Sequence, residues 1–156
     1  MNSPLPKPDH DALAHSHALV QTIKTDIAEA GGWISFARYM HQALYAPGLG
    51  YYSGGAKKFG QSGDFVTAPE ISPLFAQTLA RQVAQVLRET SGDILELGAG
   101  TGSLAIQLLL ELEALGQLPQ SYFILEVSAY LREVQSQQMA AQLPADLMAR
   151  VRWIDQ

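Results

Sequence analysis

The feature that most constrains this chain is a short apolar segment that leads directly into a glycine-rich turn. Residues 93–97 (DILEL) precede residues 98–102 (GAGTG), and a helical pattern follows from Thr101 to about Leu115. Glycines at a strand–helix junction let the backbone approach a ligand closely, and the following helix begins with unpaired N–H groups. The segment therefore predicts a nucleotide-type binding loop at the carboxyl end of the first strand of an open α/β sheet.

Two further strand segments follow this junction. Residues 122–127 form a second apolar run, a helix is expected from Ser128 to about Leu143, and residues 151–154 form a third run. Strands that alternate with helices imply a parallel sheet with right-handed crossovers. The expected strand order is third, second, first, which leaves the first strand at an open edge of the sheet.

The part of the chain before the sheet is expected to be helical. Residues 1–8 contain three prolines and are predicted to form a flexible tail. Residues 9–90 are predicted to form a helical region with a glycine-rich loop at 48–72, and Phe36 and Tyr39 are expected on the inner side of its second helix. Residues 91–156 then form the first half of a cofactor-binding domain.

Composition narrows the classes of function. The chain has 15 acidic and 10 basic residues, a net charge of −5, and no dense Lys/Arg cluster, so no nucleic-acid partner is expected. It has no cysteine, which excludes disulfides, thiolate metal sites and cysteine nucleophiles. The four histidines lack a ligand spacing, and no metal is expected. No apolar run reaches the roughly 18 residues of a membrane span, and the N-terminus lacks targeting features. We therefore expect a cytoplasmic protein with no membrane partner.

The details of the loop indicate which cofactor it binds. In the dinucleotide fingerprint G-x-G-x-x-G the third glycine falls one residue later than Gly102, and no P-loop Lys-Ser/Thr pair is present. Glu96, two residues before the first glycine, suits a cation, and S-adenosylmethionine carries a sulfonium and an amino group but no phosphate. Glu126, at the tip of the second strand, can accept hydrogen bonds from ribose hydroxyls. A nicotinamide-dependent enzyme remains a disfavoured alternative because of the early third glycine.

Taken together, these motifs resemble the MidA-type methyltransferases, relatives of the mitochondrial complex I assembly arginine methyltransferase. The resemblance covers about residues 18–156 and includes ISFARYMHQALYAPGLGYY, KKFGQSGDFVTAPEIS, ELGAGTG and YFILEVSAYLREVQ. Trp33 departs from the family pattern, where a proline is expected. The resemblance implies an α/β fold: a Rossmann-like class I methyltransferase sheet, represented by its first three parallel strands only and preceded by an N-terminal helical region.

The resemblance also implies the roles of individual residues toward S-adenosylmethionine. The glycine-rich loop and Glu96 would line the methionine end, Glu126 would hold the ribose and Asp155 would face the adenine. Residues 63–72 are similar to an element that DNA amino-methyltransferases place against the methionine moiety, although a packed surface loop is the alternative. An aromatic ring, Phe65 or Tyr51, could lie near the sulfonium. The predicted cofactor-binding residues are Glu96, Gly98, Ala99, Gly100, Thr101, Gly102, Glu126, Val127, Asp155, Gly63, Phe65, Thr67 and Pro69.

The function implied by the family is methylation of a protein nitrogen, an arginine, on a respiratory complex I subunit or a similar partner. Asp64 and Glu70 lie on a loop that could hold a guanidinium, but a structural role is favoured for both, and no catalytic residue is assigned. A non-catalytic assembly factor that binds the cofactor is the alternative. Because three of seven strands are expected, the chain is predicted to be an incomplete N-terminal portion, inactive alone and able to self-associate through its open sheet edge.

Overall fold

The computed structural model describes residues 7–54 and 66–155, and the chain divides into two compact units. The first unit spans residues 1–55 and the second spans residues 56–156. This boundary differs from the predicted one at residues 90 and 91. The reason is that the helix preceding the sheet packs on the first crossover helix and belongs to the sheet unit.

Within residues 7–54, the first unit contains two helices, and each begins after a polar residue that caps it. Helix α1 (His10–Glu29) follows Asp9, whose carboxylate accepts a first-turn N–H at 2.8 Å. Helix α2 (Phe36–Tyr45) follows Ser35, whose hydroxyl accepts a first-turn N–H at 3.2 Å. The Asp26 carboxylate accepts hydrogen bonds from two side chains of α2, which joins the helices.

The second unit contains a sheet of three parallel strands among its described residues. The strands are β1 (Ile94–Leu97), β2 (Tyr122–Leu125) and β3 (Val151–Ile154), in the order β1-β2-β3. The predicted fold, with β1 at the edge, is therefore confirmed. Because the strands are parallel, the residues that follow them, Gly98 and Glu126 among them, lie along one edge of the sheet.

Within residues 66–155, five helices accompany the sheet, and the core lies between the longer ones and one sheet face. The helices are α3 (Ala68–Ile71), α4 (Leu74–Thr90), α5 (Ser103–Ala114), α6 (Ala129–Gln142) and α7 (Ala145–Met148). The largest wholly buried apolar side chains of this core are Tyr122, Leu109, Leu112, Ile124, Met139 and Leu147. Removing this apolar surface from water is the main favourable term in the folding of the unit.

Two features of the helices differ from the sequence prediction. Phe36 is 75% exposed and Tyr39 is 42% exposed, although both were expected on the inner side of α2. Their rings stack on each other with centroids 6.2 Å apart. The one-turn helices α3 and α7 were not predicted, because four residues give no helical period to detect.

The opposite face of the sheet remains open along β1. Leu95 is 56% exposed and Leu97 is 69% exposed, whereas Ile124, on the other face of the neighbouring strand, is fully buried. A strand with apolar residues on both faces is typical of a sheet that is covered on both sides. Within the described ranges, no helix has the length and hydropathy needed to cross a membrane.

Candidate functional site

The turn after β1 adopts a backbone conformation that favours glycine. The φ angles of Gly98, Gly100 and Gly102 are 66°, 57° and 87°, a region that side chains with a Cβ rarely enter. The Gly98 N–H donates to the Leu125 carbonyl at 2.9 Å, which attaches the turn to β2, and the Gly102 N–H donates to the Ala99 carbonyl at 2.8 Å. The turn is thus fixed at both ends, and helix α5 begins immediately after it.

Glu96 is half-buried in β1 and faces the helices. Its carboxylate accepts a hydrogen bond from the Tyr122 hydroxyl at 2.8 Å, across the β1–β2 pair. Burial raises the pKa of the Glu96 carboxyl, the Tyr122 hydrogen bond lowers it, and the nearby Glu126 carboxylate raises it. The pKa of the Tyr122 hydroxyl is itself raised by burial and by Glu96. Tyr122 therefore keeps its proton and fixes one oxygen of an acid that suits a cationic partner.

A cleft of about 290 Å³ lies beside the turn and Glu96. It brings together several predicted site residues from the turn, from β1 and from the α3 segment. Phe75 and Leu104 also line it and were not predicted to do so, because an apolar residue in an amphipathic helix is usually assigned to the core. The lining residues are Thr67, Pro69, Phe75, Glu96, Gly98, Ala99, Gly100, Thr101, Ser103 and Leu104.

The α3 segment is held against the start of α5 by hydrogen bonds. The Glu70 carboxylate accepts a hydrogen bond from the Thr101 hydroxyl. The Pro69 carbonyl accepts from the Gln107 amide at 3.0 Å and from the Ser103 hydroxyl at 3.3 Å. These contacts hold Pro69, which lines the cleft, against α5 and give Glu70 a hydrogen-bond partner in the glycine turn.

Glu126 follows β2 and is almost wholly buried, with 7% of its surface exposed. One carboxylate oxygen accepts the Ser128 N–H at 3.0 Å, and the other accepts from the Gln135 amide at 3.2 Å. Each oxygen has a second lone pair, so the carboxylate can accept further hydrogen bonds. Its neighbours hold it in one orientation.

The remaining predicted residues are distributed around this edge or lie elsewhere. Asp155 follows β3, has a side chain that is 86% exposed, and pairs with Arg132 at 2.5 Å. Val127 follows Glu126 and is 42% exposed. Tyr51 belongs to the first unit, where its ring contacts Tyr52 edge-on at 4.9 Å.

The predictions for Gly63, Asp64 and Phe65 lie outside the described residues. Within residues 7–54 and 66–155, no group of three His, Cys, Asp or Glu residues could hold a metal ion.

Gln135 of α6 also lies against the glycine turn and Glu126, although it was not predicted to do so. Its side chain is fully buried and contacts the turn, Glu126 and Trp153 at once. Nothing in the sequence distinguishes Gln135 from the other polar residues of α6, and a glutamine in such a helix is usually assigned to the surface.

The open parallel sheet, the glycine turn at its carboxyl edge and the acids after its strands define a Rossmann-like cofactor-binding protein. Residues 78–156 match the family model described as "Putative S-adenosyl-L-methionine-dependent methyltransferase". The chain belongs to this family, whose cofactor is S-adenosylmethionine. The resemblance to MidA-type methyltransferases is thereby confirmed.

Related proteins agree with this assignment. The chain is 32% identical over 144 residues to the mitochondrial protein arginine methyltransferase NDUFAF7 homolog of Drosophila melanogaster, covering 88% of this chain and 32% of that protein. It is 36% identical over 116 residues to NDUFAF7 of Danio rerio, covering 69% of this chain and 27% of that protein. The chain thus spans between a quarter and a third of the length of these relatives.

A solved structure from Burkholderia thailandensis, bound to S-adenosyl-homocysteine, resembles this fold over almost the whole chain. The sequences are 55% identical and the TM-score is 0.84, covering 98% of this chain and 41% of the other. A native crystal structure from the same organism gives 53% identity and a TM-score of 0.79, covering 98% of this chain and 38% of the other.

Proposed function

We propose that this chain supplies the cofactor-binding part of a methyltransferase that acts on a protein nitrogen, specifically an arginine. The observation that carries the proposal is the cleft in which Glu96, the glycine turn and the α3 segment meet. Support for the acceptor comes from the relatives in fly and fish, which are named protein arginine methyltransferases. A respiratory complex I subunit, or a similar partner, is the proposed source of that arginine.

The residues of the cleft fit S-adenosylmethionine in charge and in shape. Space is open beside Gly98, where an added Cβ would meet no atom within 4 Å. The Glu96 carboxylate suits the cationic methionine end, the second lone pairs of Glu126 suit ribose hydroxyls, and Asp155 lies at the same sheet edge for the adenine. When bound, the cofactor supplies an activated methyl group.

The chain's own contribution to the reaction is orientation. The fixed turn and the Tyr122–Glu96 hydrogen bond hold their groups before any ligand arrives, so little ordering is required on binding. Alignment of a methyl donor and an acceptor is the main source of rate enhancement in a displacement of this kind. Within the described residues, we assign no side chain the role of base toward the acceptor.

The cofactor assignment is tested by calorimetry with S-adenosyl-homocysteine, S-adenosylmethionine, adenosine and methionine. Glu126→Ala removes an acceptor of hydrogen bonds worth about 1.5–3 kcal/mol, so affinity for the two whole cofactors and for adenosine should fall about tenfold or more. Methionine binding should not change. Glu113→Ala, an exposed acid on α5, is the matched control. Equal affinities in both variants would contradict the assignment of Glu126.

Catalysis needs its own experiment. Radiolabelled methyl transfer into cell extract is compared between the 156-residue chain and a chain extended to the length of the relatives. We expect label in arginine only with the longer chain. Binding without any methyl incorporation by either chain would indicate a non-catalytic assembly factor instead.

A further inference from the structure

Gln135 lies where the ends of all three strands come together. It is on α6, and its side chain is fully buried. Its amide nitrogen donates to the Gly100 carbonyl at 2.9 Å and to the Glu126 carboxylate at 3.2 Å. Its amide oxygen accepts from the Trp153 indole N–H at 2.8 Å. One side chain thus contacts the turn after β1, the acid after β2 and a residue within β3.

The partners of this amide allow it only one orientation. An indole N–H only donates, whereas a backbone carbonyl and a carboxylate only accept. Rotating the amide by 180° would place its NH2 group against the Trp153 N–H and its oxygen against two acceptors. Since buried polar groups without partners are costly, Trp153 fixes which end of the amide faces the site.

We propose that Gln135 is a positioning residue that couples the glycine turn to the ribose-binding acid, with Trp153 holding the amide in the orientation required. The proposal rests on the proposed function, because it assigns the turn and Glu126 to one cofactor. Both hydrogens of the amide are used, one on each side of the site. If either the Gly100 carbonyl or the Glu126 carboxylate moves, the amide moves with it, and its hydrogen bond to the other group weakens.

Three substitutions separate the parts of this arrangement. Gln135→Met fills a similar space and removes all three hydrogen bonds. Gln135→Glu keeps an acceptor for Trp153 but replaces the donors with a carboxylate oxygen beside Glu126. Trp153→Phe leaves the donors and removes the group that orients them. Gln137→Met is the matched control, because Gln137 is an exposed residue of the same helix and its amide donates to the Glu133 carboxylate at 2.7 Å.

The first measurement is S-adenosyl-homocysteine affinity by calorimetry. We expect a loss of about tenfold or more for Gln135→Met and Gln135→Glu, and a smaller loss for Trp153→Phe, with Gln137→Met unchanged. Circular dichroism checks that each variant folds. If Gln135→Met fails to fold, the affinities of Gln135→Glu and Trp153→Phe for S-adenosyl-homocysteine still test the proposal. Wild-type affinity in a folded Gln135 variant would overturn the proposal.

The second measurement needs no ligand, so it separates failure of this proposal from failure of the proposed function. The chain has two tryptophans, so its indole N–H signals in a proton–nitrogen spectrum are assigned with Trp33→Phe. The Trp153 signal should shift in Gln135→Met and stay close to wild type in Gln135→Glu. Backbone amide exchange at residues 100–102 should accelerate in both. If wild type binds no S-adenosyl-homocysteine, the proposed function fails. Unchanged amide exchange in both variants would overturn the role of Gln135.

Discussion

Two glycines of the turn differ in what surrounds them, although both have positive φ. An added Cβ at Gly98 would meet no atom within 4 Å, whereas at Gly102 it would lie 2.9 Å from the buried Met139 methyl group. Gly98→Ala should cost about 1–2 kcal/mol of backbone strain. Gly102→Ala should cost about 1 kcal/mol more, because Met139 must shift in a packed core. Urea unfolding of both variants measures the difference, and equal losses would contradict the packing argument.

Glu96 predicts a pH-dependent stability. Burial raises its pKa in the folded chain, so the folded state holds the proton more tightly than the unfolded state does. The associated stability is present below the ordinary glutamate pKa of about 4.3. It is lost as the pH rises through the folded pKa. Glu96→Gln cannot titrate, and its amide oxygen can still accept from Tyr122.

We therefore expect the stability of Glu96→Gln relative to wild type to increase as the pH rises from 4 to 8. Urea unfolding across that range is the measurement, with the exposed Glu113→Gln as the control. The groups identified as acting on Glu96 are Tyr122 and Glu126, and both stay in place in the variant. A constant difference across the range would show that Glu96 titrates as an ordinary surface acid.

At the scale of the element, two helices begin at serine caps that differ in burial. The Ser128 hydroxyl accepts the Leu131 N–H at 3.2 Å within the core, and its own N–H holds Glu126. The Ser35 hydroxyl accepts the Arg38 N–H at 3.2 Å in an exposed position. Loss of either cap should cost about 1 kcal/mol.

Ser128→Ala should lower the stability more than Ser35→Ala does, because it also leaves the buried N–H of Leu131 without a partner. Thermal unfolding compares the two variants, and a larger loss from Ser35→Ala would contradict the argument.

The elements also show how far the sequence could predict this molecule. Apolar runs predicted the three strands and the two helices that connect them, because periodicity acts over a few residues. The glycine turn, Glu96 and Thr67 could be predicted to lie in one site, because each belongs to a sequence motif that resembles a cofactor-binding segment. Gln135 and Phe75 could not, because their contacts join residues far apart in the chain. Such contacts depend on how helices pack, and no local pattern records this.

At the scale of the whole molecule, the open sheet face predicts self-association. Leu97 is 69% exposed and Leu95 is 56% exposed, and β1 has one edge without a strand partner in the described part of the chain. We propose that two copies of the 156-residue chain associate through this region. Leu97→Lys should weaken the association, because a charge there would have to be buried. Leu110→Lys, on the partly exposed side of α5, is the control.

Sedimentation velocity over a range of concentrations measures this association. We expect the wild type to sediment faster as concentration rises and Leu97→Lys to remain monomeric. A wild-type chain that stays monomeric at every concentration would contradict the proposal.

The strand order has a consequence for how the site forms during synthesis. β2 pairs with β1, and β3 pairs with β2. The sheet can therefore grow in the order in which residues leave the ribosome. Pairing of β1 with β2 already joins Gly98 to Leu125 and Glu96 to Tyr122. The Trp153 contact with Gln135 is made only when β3 joins. When β1 and β2 have left the ribosome, the nascent chain would therefore already contain the glycine turn and Glu126. The Gln135 amide between them would be fixed only later, when Trp153 arrives with β3.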